Sequence, residues 1–309
     1  MRLFAGSSHP ALAKALAAEL GVSLGVATLK TFSSGELYVK FEESVRGKDV
    51  YILQTSARHP NENLMELLLM CQAARLSFAR SVNVILPYFP YARQDRVSSP
   101  REPISAKLVA DLLEKSGADH VITLDLHSDQ IQGFFGIPVD ALDARSIFAD
   151  YFKRLNLPHA VVVAPDAGGA KRAKKFADMI GAELAIIHKS RIAHHQAKVL
   201  EVVGDIEGKT CIIFDDMIDT ASTLCPAKEA LITRKADKKV YAAATHAILS
   251  GTAFDNLAKA QFEEVVVTDS IPHDMPTDQF KVLPIAPLLA KVLRQIERGE
   301  SVTVIYDGK

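Results

Sequence analysis

The sequence predicts an α/β protein with two similar domains, each a mainly parallel sheet flanked by helices. Three observations lead to this fold class. Short β-rich runs alternate with segments of helical period along the 309 residues. The runs are continuously apolar, which is typical of parallel strands covered by helices on both faces. A weak internal repeat indicates that the same design occurs twice.

Eight apolar runs of five to seven residues are the predicted strands: DVYILQ, VNVILPY, HVITLDL, AVVVAP, LAIIH, TCIIFDD, VYAAATH and EEVVVTD. The segments between them include four with the length and period of helices, at 61–79, 104–116, 169–180 and 223–236. Crossovers between neighbouring parallel strands should be right-handed. We therefore expect helices on both faces of each sheet.

The repeat relates segment 46–76, RGKDVYILQTSARHPNENLMELLLMCQAARL, to segment 207–234, EGKTCIIFDDMIDTASTLCPAKEALITR. Each contains a glycine–lysine pair, a strand, a polar loop and a helix. We therefore predict an N-terminal domain over 1–143 and a C-terminal domain over 144–286. A helix around 287–298, within the remaining segment 287–309, is expected to pack back on the first domain.

The composition argues against several classes of protein. With 36 basic and 37 acidic side chains, the chain lacks the basic excess of a nucleic-acid binder. The densest apolar segment, LMELLLM, is too short to cross a membrane. The three cysteines form no C-x-x-C pair, and the N-terminus has no signal-peptide layout. We expect a cytoplasmic protein with neither nucleic acid nor membrane as a partner.

Candidate ligand sites follow from the position of polar residues after predicted strands. In open parallel sheets, ligands bind beyond the carboxyl ends of the strands. This rule selects 93–95, His127, 166–169 and 215–223. A lone histidine is more often structural than a ligand, but Asp166 also follows a strand and precedes two glycines that permit close backbone approach.

The segment CIIFDDMIDTASTL, residues 211–224, has the most informative chemistry. CIIF is the predicted strand, DTAST a tight loop, and a helix begins near Thr223. Free N–H groups and hydroxyls at a helix N-terminus suit an anion. Carboxylates repel a phosphate but accept hydrogen bonds from vicinal hydroxyls. A ribose 5-phosphate satisfies both demands, although Asp215 and Asp216 could instead merely cap the loop.

Several segments resemble one known family. IIFDDMIDTASTL resembles the phosphoribosyl-diphosphate-binding loop of the type I phosphoribosyltransferase fold. PYFPYARQDR, REPISAK, DLHSDQIQGFFGIPVD and PDAGGAKRA are similar to segments of the ribose-phosphate pyrophosphokinase family. The resemblance runs from FSSGE to ATHAILSG, nearly the whole chain. It implies two phosphoribosyltransferase-like domains and the reaction of ribose 5-phosphate with ATP to give 5-phosphoribosyl 1-diphosphate and AMP.

The resemblance also implies roles for residues of the second domain. Three acids would hold the ribose hydroxyls or a second magnesium ion: Asp215, Asp216 and Asp219. The 5-phosphate would be held by Thr220, Ala221, Ser222 and Thr223. The diphosphate loop would comprise Asp166, Gly168 and Gly169. The cofactor would be Mg²⁺, held by His127 and Asp166; few protein ligands suffice because Mg²⁺ keeps several waters.

Lys189 and Arg191 match the catalytic flexible loop of the family. In an extended loop, residues i and i+2 point the same way, so both cations could reach one developing negative charge. Without the resemblance, a solvated basic loop would be the simpler interpretation of this segment.

In the first domain, the resemblance assigns ATP binding to Arg93, Gln94, Asp95, His127, Phe32 and Glu36. Phe32 could stack on the purine, and Glu36 could accept a hydrogen bond from its amino group or from the ribose. In the family these two come from a neighbouring subunit, which implies a homo-oligomer, with dimers assembling to a hexamer. The alternatives are a solvated turn at 93–95 and a core phenylalanine beside a hairpin.

Several positions depart from the family pattern, and two of them lie among the predicted site segments. Ser34 replaces an aspartate next to Glu36, and Ser222 replaces a glycine of the phosphate loop. Three other functions share some of these motifs: a non-catalytic relative, a phosphoribosyltransferase and a regulator that senses phosphoribosyl diphosphate. The retained Lys189, Arg191, His127 and Asp166 argue against the first, YARQDR against the second, and the neutral composition against the third.

Overall fold

The computed structural model describes residues 1–56, 58–190, 199–273 and 278–302. The chain divides into two compact units. The first comprises Met1–Asp143, Ser270–Pro272 and Pro284–Lys309. The second comprises Ala144–Asp269 and His273–Leu283.

The first unit begins with these elements in chain order: β1 (Arg2–Ala5), α1 (Pro10–Leu20), β2 (Ala27–Thr31), β3 (Leu37–Phe41), β4 (Asp49–Leu53), α2 (Pro60–Leu76), β5 (Ser81–Leu86), α3 (Ser105–Ser116), β6 (His120–Leu124), a 3₁₀ helix (Asp129–Phe134) and β7 (Val139–Leu142). Five strands form one sheet in the order β1-β4-β5-β6-β7, and every pair is parallel. β2 and β3 form a separate antiparallel hairpin that packs on α2.

The second unit contains α4 (Arg145–Leu155), β8 (Ala160–Ala164), α5 (Ala170–Ile180), β9 (Glu183–Ser190), β10 (Val199–Val203), β11 (Thr210–Ile218), α6 (Leu224–Thr233), β12 (Val240–Ala247), α7 (Ala253–Ala260), β13 (Glu264–Thr268) and β14 (Phe280–Leu283). Its sheet has the order β10-β9-β8-β11-β12-β13-β14. All pairs are parallel except β10 with β9. The strand order therefore reverses between β8 and β11, where the chain leaves β8 on one side and returns on the other.

The cores explain why the strands are apolar throughout. Successive side chains of a strand point to opposite faces of its sheet, so both faces need cover. In the second unit, Ile213 belongs to the core that also contains residues of α6 and α7. Its neighbour Phe214 contacts Phe148 of α4 and stacks on Phe176 of α5 at 4.3 Å between ring centroids. Helices thus cover both faces, and the predicted α/β fold class is confirmed.

The predicted elements differ from the structure at their ends and in their number. The predicted strand CIIF continues to Ile218, so Asp215 and Asp216 lie inside β11 rather than beyond it. The predicted strand LAIIH likewise continues to Ser190. The sequence pattern missed β1, α1, β7, α4, β10, α7 and β14. Among the described helices, none has an apolar stretch long enough to cross a bilayer.

The last helix, α8 (Ala286–Arg298), corresponds to the helix predicted around 287–298 and packs against α1. Its Glu297 joins three parts of the first unit. Glu297 Oε1 accepts a hydrogen bond of 2.9 Å from the Tyr51 hydroxyl of β4, and Oε2 lies 3.4 Å from the amino group of Met1. Tyr51 is buried, and burial together with Glu297 raises the pKa of its phenol above the ordinary range. The hydroxyl therefore remains a proton donor to α8.

We predict that Tyr51→Phe lowers the free energy of unfolding by about 1–2 kcal/mol, because the hydrogen bond from the buried Tyr51 hydroxyl to the charged Glu297 carboxylate is lost. Urea denaturation of the full chain measures this change. Tyr38→Phe is the matched control, since Tyr38 is exposed and removal of its hydroxyl should alter the free energy by less than about 0.5 kcal/mol. Equal effects of the two substitutions would contradict the anchoring role of Tyr51.

Candidate active site

The reversal of strand order gives the second unit a crevice at the carboxyl ends of β8 and β11. Such switch points are where open α/β sheets bind ligands, because the two connections leave in opposite directions. The loop from β8 to α5 contains Asp166, Gly168 and Gly169, and the connection from β11 to α6 contains residues 219–223. Two of the predicted ligand loops therefore lie on neighbouring strands of one sheet.

Two adjacent carboxylates lie at the carboxyl end of β11. Asp216 is buried, and Asp215 is partly exposed. The N–H of Asp216 donates to Asp215 Oδ1 at 2.9 Å. Arg172 of α5 places Nη1 2.9 Å from Asp216 Oδ1 and 3.8 Å from Asp215 Oδ1. Asp216 shares its strand face with Phe214, which packs on α5, so the alternation of side chains directs Asp216 toward Arg172.

Burial and the neighbouring Asp216 raise the pKa of Asp215 well above its usual value, and Arg172 opposes this rise in part. Burial disfavours the charged form because a carboxylate loses water, and a second carboxylate beside it adds repulsion. A raised carboxyl pKa next to a cation and a polar loop is common at functional sites. Asp215 is therefore a candidate functional residue, and the cap of a loop remains the simpler alternative for the pair.

The loop after β11 is held by the neighbouring connection from β12 to α7. The carbonyl of Ile218 accepts hydrogen bonds from the N–H groups of Ile248 at 2.9 Å and Leu249 at 3.1 Å. Ser250 Oγ donates to Asp219 Oδ1, and Asn256 Nδ2 of α7 donates to the Thr220 carbonyl at 2.8 Å. These contacts fix both the acid and the backbone of the loop.

Within this loop, Ala221 is buried and has a left-handed φ of 58°. A left-handed conformation costs an L-residue roughly 1–2 kcal/mol, so the surrounding contacts must impose it. Ser222, the position where the family pattern has glycine, is not among the described residues with positive φ. Ser222 and Thr223 are exposed, and Thr220 Oγ1 donates to Ser222 Oγ at 2.9 Å. Hydroxyls and the first N–H groups of α6 thus lie in one short segment.

The loop after β8 is organised by Asp166. Its Oδ1 accepts a hydrogen bond of 3.0 Å from the N–H of Gly169, the residue before α5. A Cβ added to Gly168 would lie 3.2 Å from the same oxygen, which is tighter than ordinary contact. The exposed carboxylate of Asp166 is therefore fixed through one oxygen, directly before the N-terminus of a helix.

Of the two predicted catalytic cations, Lys189 lies within the described residues and Arg191 does not. Lys189 lies in β9, where its backbone pairs with Leu200 of β10, rather than in a loop beyond the strand. Arg191 lies outside the described residues.

In the first unit, a hydrogen bond links two of the predicted ATP segments. Asp95 is buried, and its Oδ2 accepts from Gln130 Nε2 at 3.1 Å. Gln130 belongs to the 3₁₀ helix that begins two residues after His127. Gln94 Oε1 accepts from Ser105 Oγ of α3 at 2.7 Å. Arg93, Gln94 and His127 are exposed, so the hydrogen bonds of Asp95 and Gln94 fix a polar surface rather than a core.

Phe32 and Glu36 lie at the exposed tip of the β2–β3 hairpin. The ring of Phe32 contacts Tyr38 edge to face at 5.8 Å, and the Phe32 N–H donates to the Glu36 carbonyl at 2.8 Å. Ser34 Oγ donates to Glu36 Oε2 at 2.9 Å, so the residue that departs from the family pattern orients the glutamate. Phe32 is 53% exposed and is therefore not a core phenylalanine.

Among the described residues, the histidines, cysteines and carboxylates form no group of three or more side chains that could hold a metal ion. His127 belongs to the first unit and Asp166 to the second. A sparse set of exposed ligands is compatible with Mg²⁺, which keeps most of its waters, but not with a closed structural site.

Sequence reasoning missed three residues of this region: Arg172, Ser250 and Asn256. Arg172 lies inside the quoted segment PDAGGAKRA, and its position in the first turn of α5 was the available signal. Ser250 and Asn256 follow β12; Ser250 lies in the segment ATHAILSG, to which no chemical role was given, and Asn256 lies beyond it. Their importance becomes visible only when β12 is known to neighbour β11.

Comparisons with known proteins agree over almost the entire chain. A family model described as the N-terminal domain of ribose phosphate pyrophosphokinase matches residues 1–117, and one described as the phosphoribosyl synthetase-associated domain matches residues 189–307. The ribose-phosphate pyrophosphokinase of Wolinella succinogenes is 46% identical over 305 residues, covering 99% of this chain and 98% of that protein. That of Bacillus subtilis is 46% identical over 308 residues, covering 99% and 97%.

A solved structure, the phosphoribosylpyrophosphate synthetase from Mycobacterium smegmatis, superposes with a TM-score of 0.90 at 44% identity. The match covers 96% of this chain and 99% of that one. The similarity to the two relatives covers 99% of this chain, and the two family models together match most of it. The chain belongs to the ribose-phosphate pyrophosphokinase family.

Proposed function

We propose that the chain transfers the β,γ-diphosphoryl group of ATP to the 1-hydroxyl of ribose 5-phosphate, giving 5-phosphoribosyl 1-diphosphate and AMP. The observation that carries this proposal is the end of β11, where a carboxylate pair precedes a hydroxyl-rich loop at a helix N-terminus. Acids suited to a diol and a loop suited to a phosphate lie a few residues apart, which matches the two ends of one sugar phosphate.

In this reaction the 1-hydroxyl attacks the β-phosphorus and AMP leaves. Catalysis of such transfers depends mainly on positioning and on neutralising charge, so no covalent nucleophile is needed. Asp215, Asp216 and Asp219 serve the ribose hydroxyls, with Asp219 oriented by Ser250. The 5-phosphate is assigned to Thr220, Ala221, Ser222 and Thr223, whose backbone is held through Asn256.

ATP is assigned to the exposed surface formed by Arg93, Gln94 and His127. The buried Asp95 holds this segment through its hydrogen bond from Gln130. Arginine side chains suit phosphates and the faces of purines. Phe32 and Glu36 complete the nucleotide site from the hairpin tip of a neighbouring subunit. This assignment requires a homo-oligomer, for which we propose dimers assembling to a hexamer. ATP and ribose 5-phosphate are intracellular metabolites, which supports a cytoplasmic location.

The proposed cofactor is Mg²⁺, held by Asp166 and His127. Asp166 fits this role because one oxygen is fixed by the Gly169 N–H while its carboxylate is exposed. A hard cation prefers such a carboxylate, and histidine is the less typical partner. When bound, the ion would neutralise charge on the phosphates of ATP. The glycines of the same loop allow the diphosphate to approach the backbone.

The reaction itself is tested by incubating the purified chain with ribose 5-phosphate, ATP and magnesium and measuring AMP in a coupled assay. Release of AMP dependent on both substrates supports the proposal. A phosphoribosyltransferase, a non-catalytic relative or a sensor of phosphoribosyl diphosphate would release none, and that result would overturn the proposal.

We predict that Lys189→Ala and Arg191→Ala each lower kcat by at least about a hundredfold, with binding of ribose 5-phosphate nearly unchanged. Cations that contact only the transferred group stabilise the transition state, and an arginine in such a role can contribute about 10³–10⁵ in rate. Steady-state kinetics and calorimetric binding separate the two effects. Normal turnover of both variants would refute the assignment of these cations.

We predict that Asp215→Asn weakens binding of ribose 5-phosphate at least about tenfold and yet stabilises the folded chain at neutral and higher pH. The raised pKa means that the folded state disfavours ionised Asp215, so Asp215 makes folding less favourable as pH rises above the ordinary carboxyl range near 3.8. Asparagine does not ionise, so the variant avoids this loss of stability at higher pH. The Tm of the variant, relative to wild type, should therefore be higher at pH 8 than at pH 4.

The control for this pair of measurements is Asp178→Asn, an exposed carboxylate on α5. It should change neither binding nor the pH dependence of the Tm difference. If Asp215→Asn and Asp178→Asn gave the same Tm difference at both pH values, the burial of Asp215 would have no energetic consequence.

A further inference from the structure

Arg172 belongs to α5, the helix that directly follows the Asp166–Gly169 loop, yet its guanidinium reaches the acids of β11. Nη1 lies 2.9 Å from Asp216 Oδ1 and 3.8 Å from Asp215 Oδ1. The Arg172 side chain thus links the helix after the β8–α5 loop to the end of β11, the two segments at the switch point of the second sheet. Ion pairs elsewhere on the same helix differ: Lys174 and Asp178, also on α5, are both more than half exposed.

The Arg172–Asp216 pair is too buried to be a solvated surface contact. The Asp216 side chain is 4% exposed and that of Arg172 is 22% exposed. A buried carboxylate needs a paired charge or good hydrogen-bond donors, and removing the partner leaves an uncompensated charge. Arginine suits this place because it stays charged and offers several donors from one planar group. The two adjacent carboxylates would otherwise repel each other.

We infer that Arg172 is a positioning residue for ribose 5-phosphate: it holds the acid pair of β11 in the orientation that receives the ribose hydroxyls and ties that pair to the diphosphate loop. This inference rests on the proposed function. Arg172 acts through Asp215 and Asp216 rather than on the reacting atoms. Loss of the Arg172 side chain should therefore weaken the binding of ribose 5-phosphate more than it slows the transfer step.

The experiment compares Arg172→Ala and Arg172→Lys with wild type, with Lys174→Ala as the control from the same helix. For Arg172→Ala we expect KM for ribose 5-phosphate to rise about tenfold to a hundredfold, the range of one lost charge-assisted interaction. KM for ATP should change less than about threefold. The KM of Arg172→Lys for ribose 5-phosphate should lie between those of wild type and Arg172→Ala, because lysine keeps the charge but lacks the planar set of donors.

A merely structural role gives a different result. Partial unfolding reduces the active fraction, which lowers kcat and leaves KM for ribose 5-phosphate as in wild type. Calorimetric titration with ribose 5-phosphate alone checks the same quantity without turnover. If Arg172→Ala does not fold, the same comparison of KM for ribose 5-phosphate with kcat is made for Arg172→Lys.

The inference is overturned if wild type turns over and the folded Arg172 variants keep KM for ribose 5-phosphate within about twofold, or if Lys174→Ala raises it equally. A wild type that releases no AMP would instead remove the proposed function, and this inference with it. The two failures are therefore distinguishable, because only the second involves the unaltered chain.

Discussion

The architecture of the second unit depends on one constraint: two adjacent carboxylates are partly withdrawn from water at the end of a buried strand. Desolvation and mutual repulsion both oppose this arrangement, as the raised pKa of Asp215 indicates. The fold compensates with Arg172, supplied by the helix that covers the same face of the sheet. Because the acids lie inside β11 rather than in a flexible loop, their positions are set by the hydrogen bonds of the sheet. Unfavourable charge is thus concentrated at the switch point of the second sheet.

The loop after β11 extends this principle of preorganisation. A left-handed alanine, a serine bonded to Asp219 and an asparagine bonded to the Thr220 carbonyl hold five residues in one conformation. The support comes from the connection after β12, the neighbouring strand, rather than from the loop itself. Binding sites whose supporting contacts lie on rigid elements lose less conformational entropy when the ligand binds.

The sequence was sufficient for the fold class, because continuous apolar runs carry that signal. It also placed most of the predicted ligand segments after strands, as the structure has them, while their binding of ligands stays a prediction. It was less informative where a strand contains charge: the apolar part CIIF was taken as the strand and the end of the run TCIIFDD was left open, whereas β11 continues through both acids to Ile218. Short elements such as β1 and β7, with four residues each, were missed because so short a run has no clear period. The supporting residues Ser250 and Asn256 could not be found, because their role depends on which strands are neighbours.

The two units share an order of elements that the sequence repeat covers only in part. In each, a strand and a helix precede two antiparallel strands, and the next strand returns to the sheet: β1, α1, β2, β3, β4 in the first and β8, α5, β9, β10, β11 in the second. The difference lies in where the antiparallel pair goes. In the second unit β9 pairs with β8 and so creates the reversal of strand order, whereas in the first the pair leaves the sheet and packs on α2.

This difference explains why the sugar phosphate is assigned to only one of two similar domains. A switch-point crevice requires neighbouring strands whose connections diverge, and only the second sheet has that order among the described strands. The connection between the paired strands also corresponds in the two units. It contains Phe32 and Glu36 in the first, and follows Lys189 and includes Arg191 in the second. In the proposed function, the first of these connections supplies a nucleotide contact, and the second supplies Arg191, which follows Lys189 of β9 in the chain.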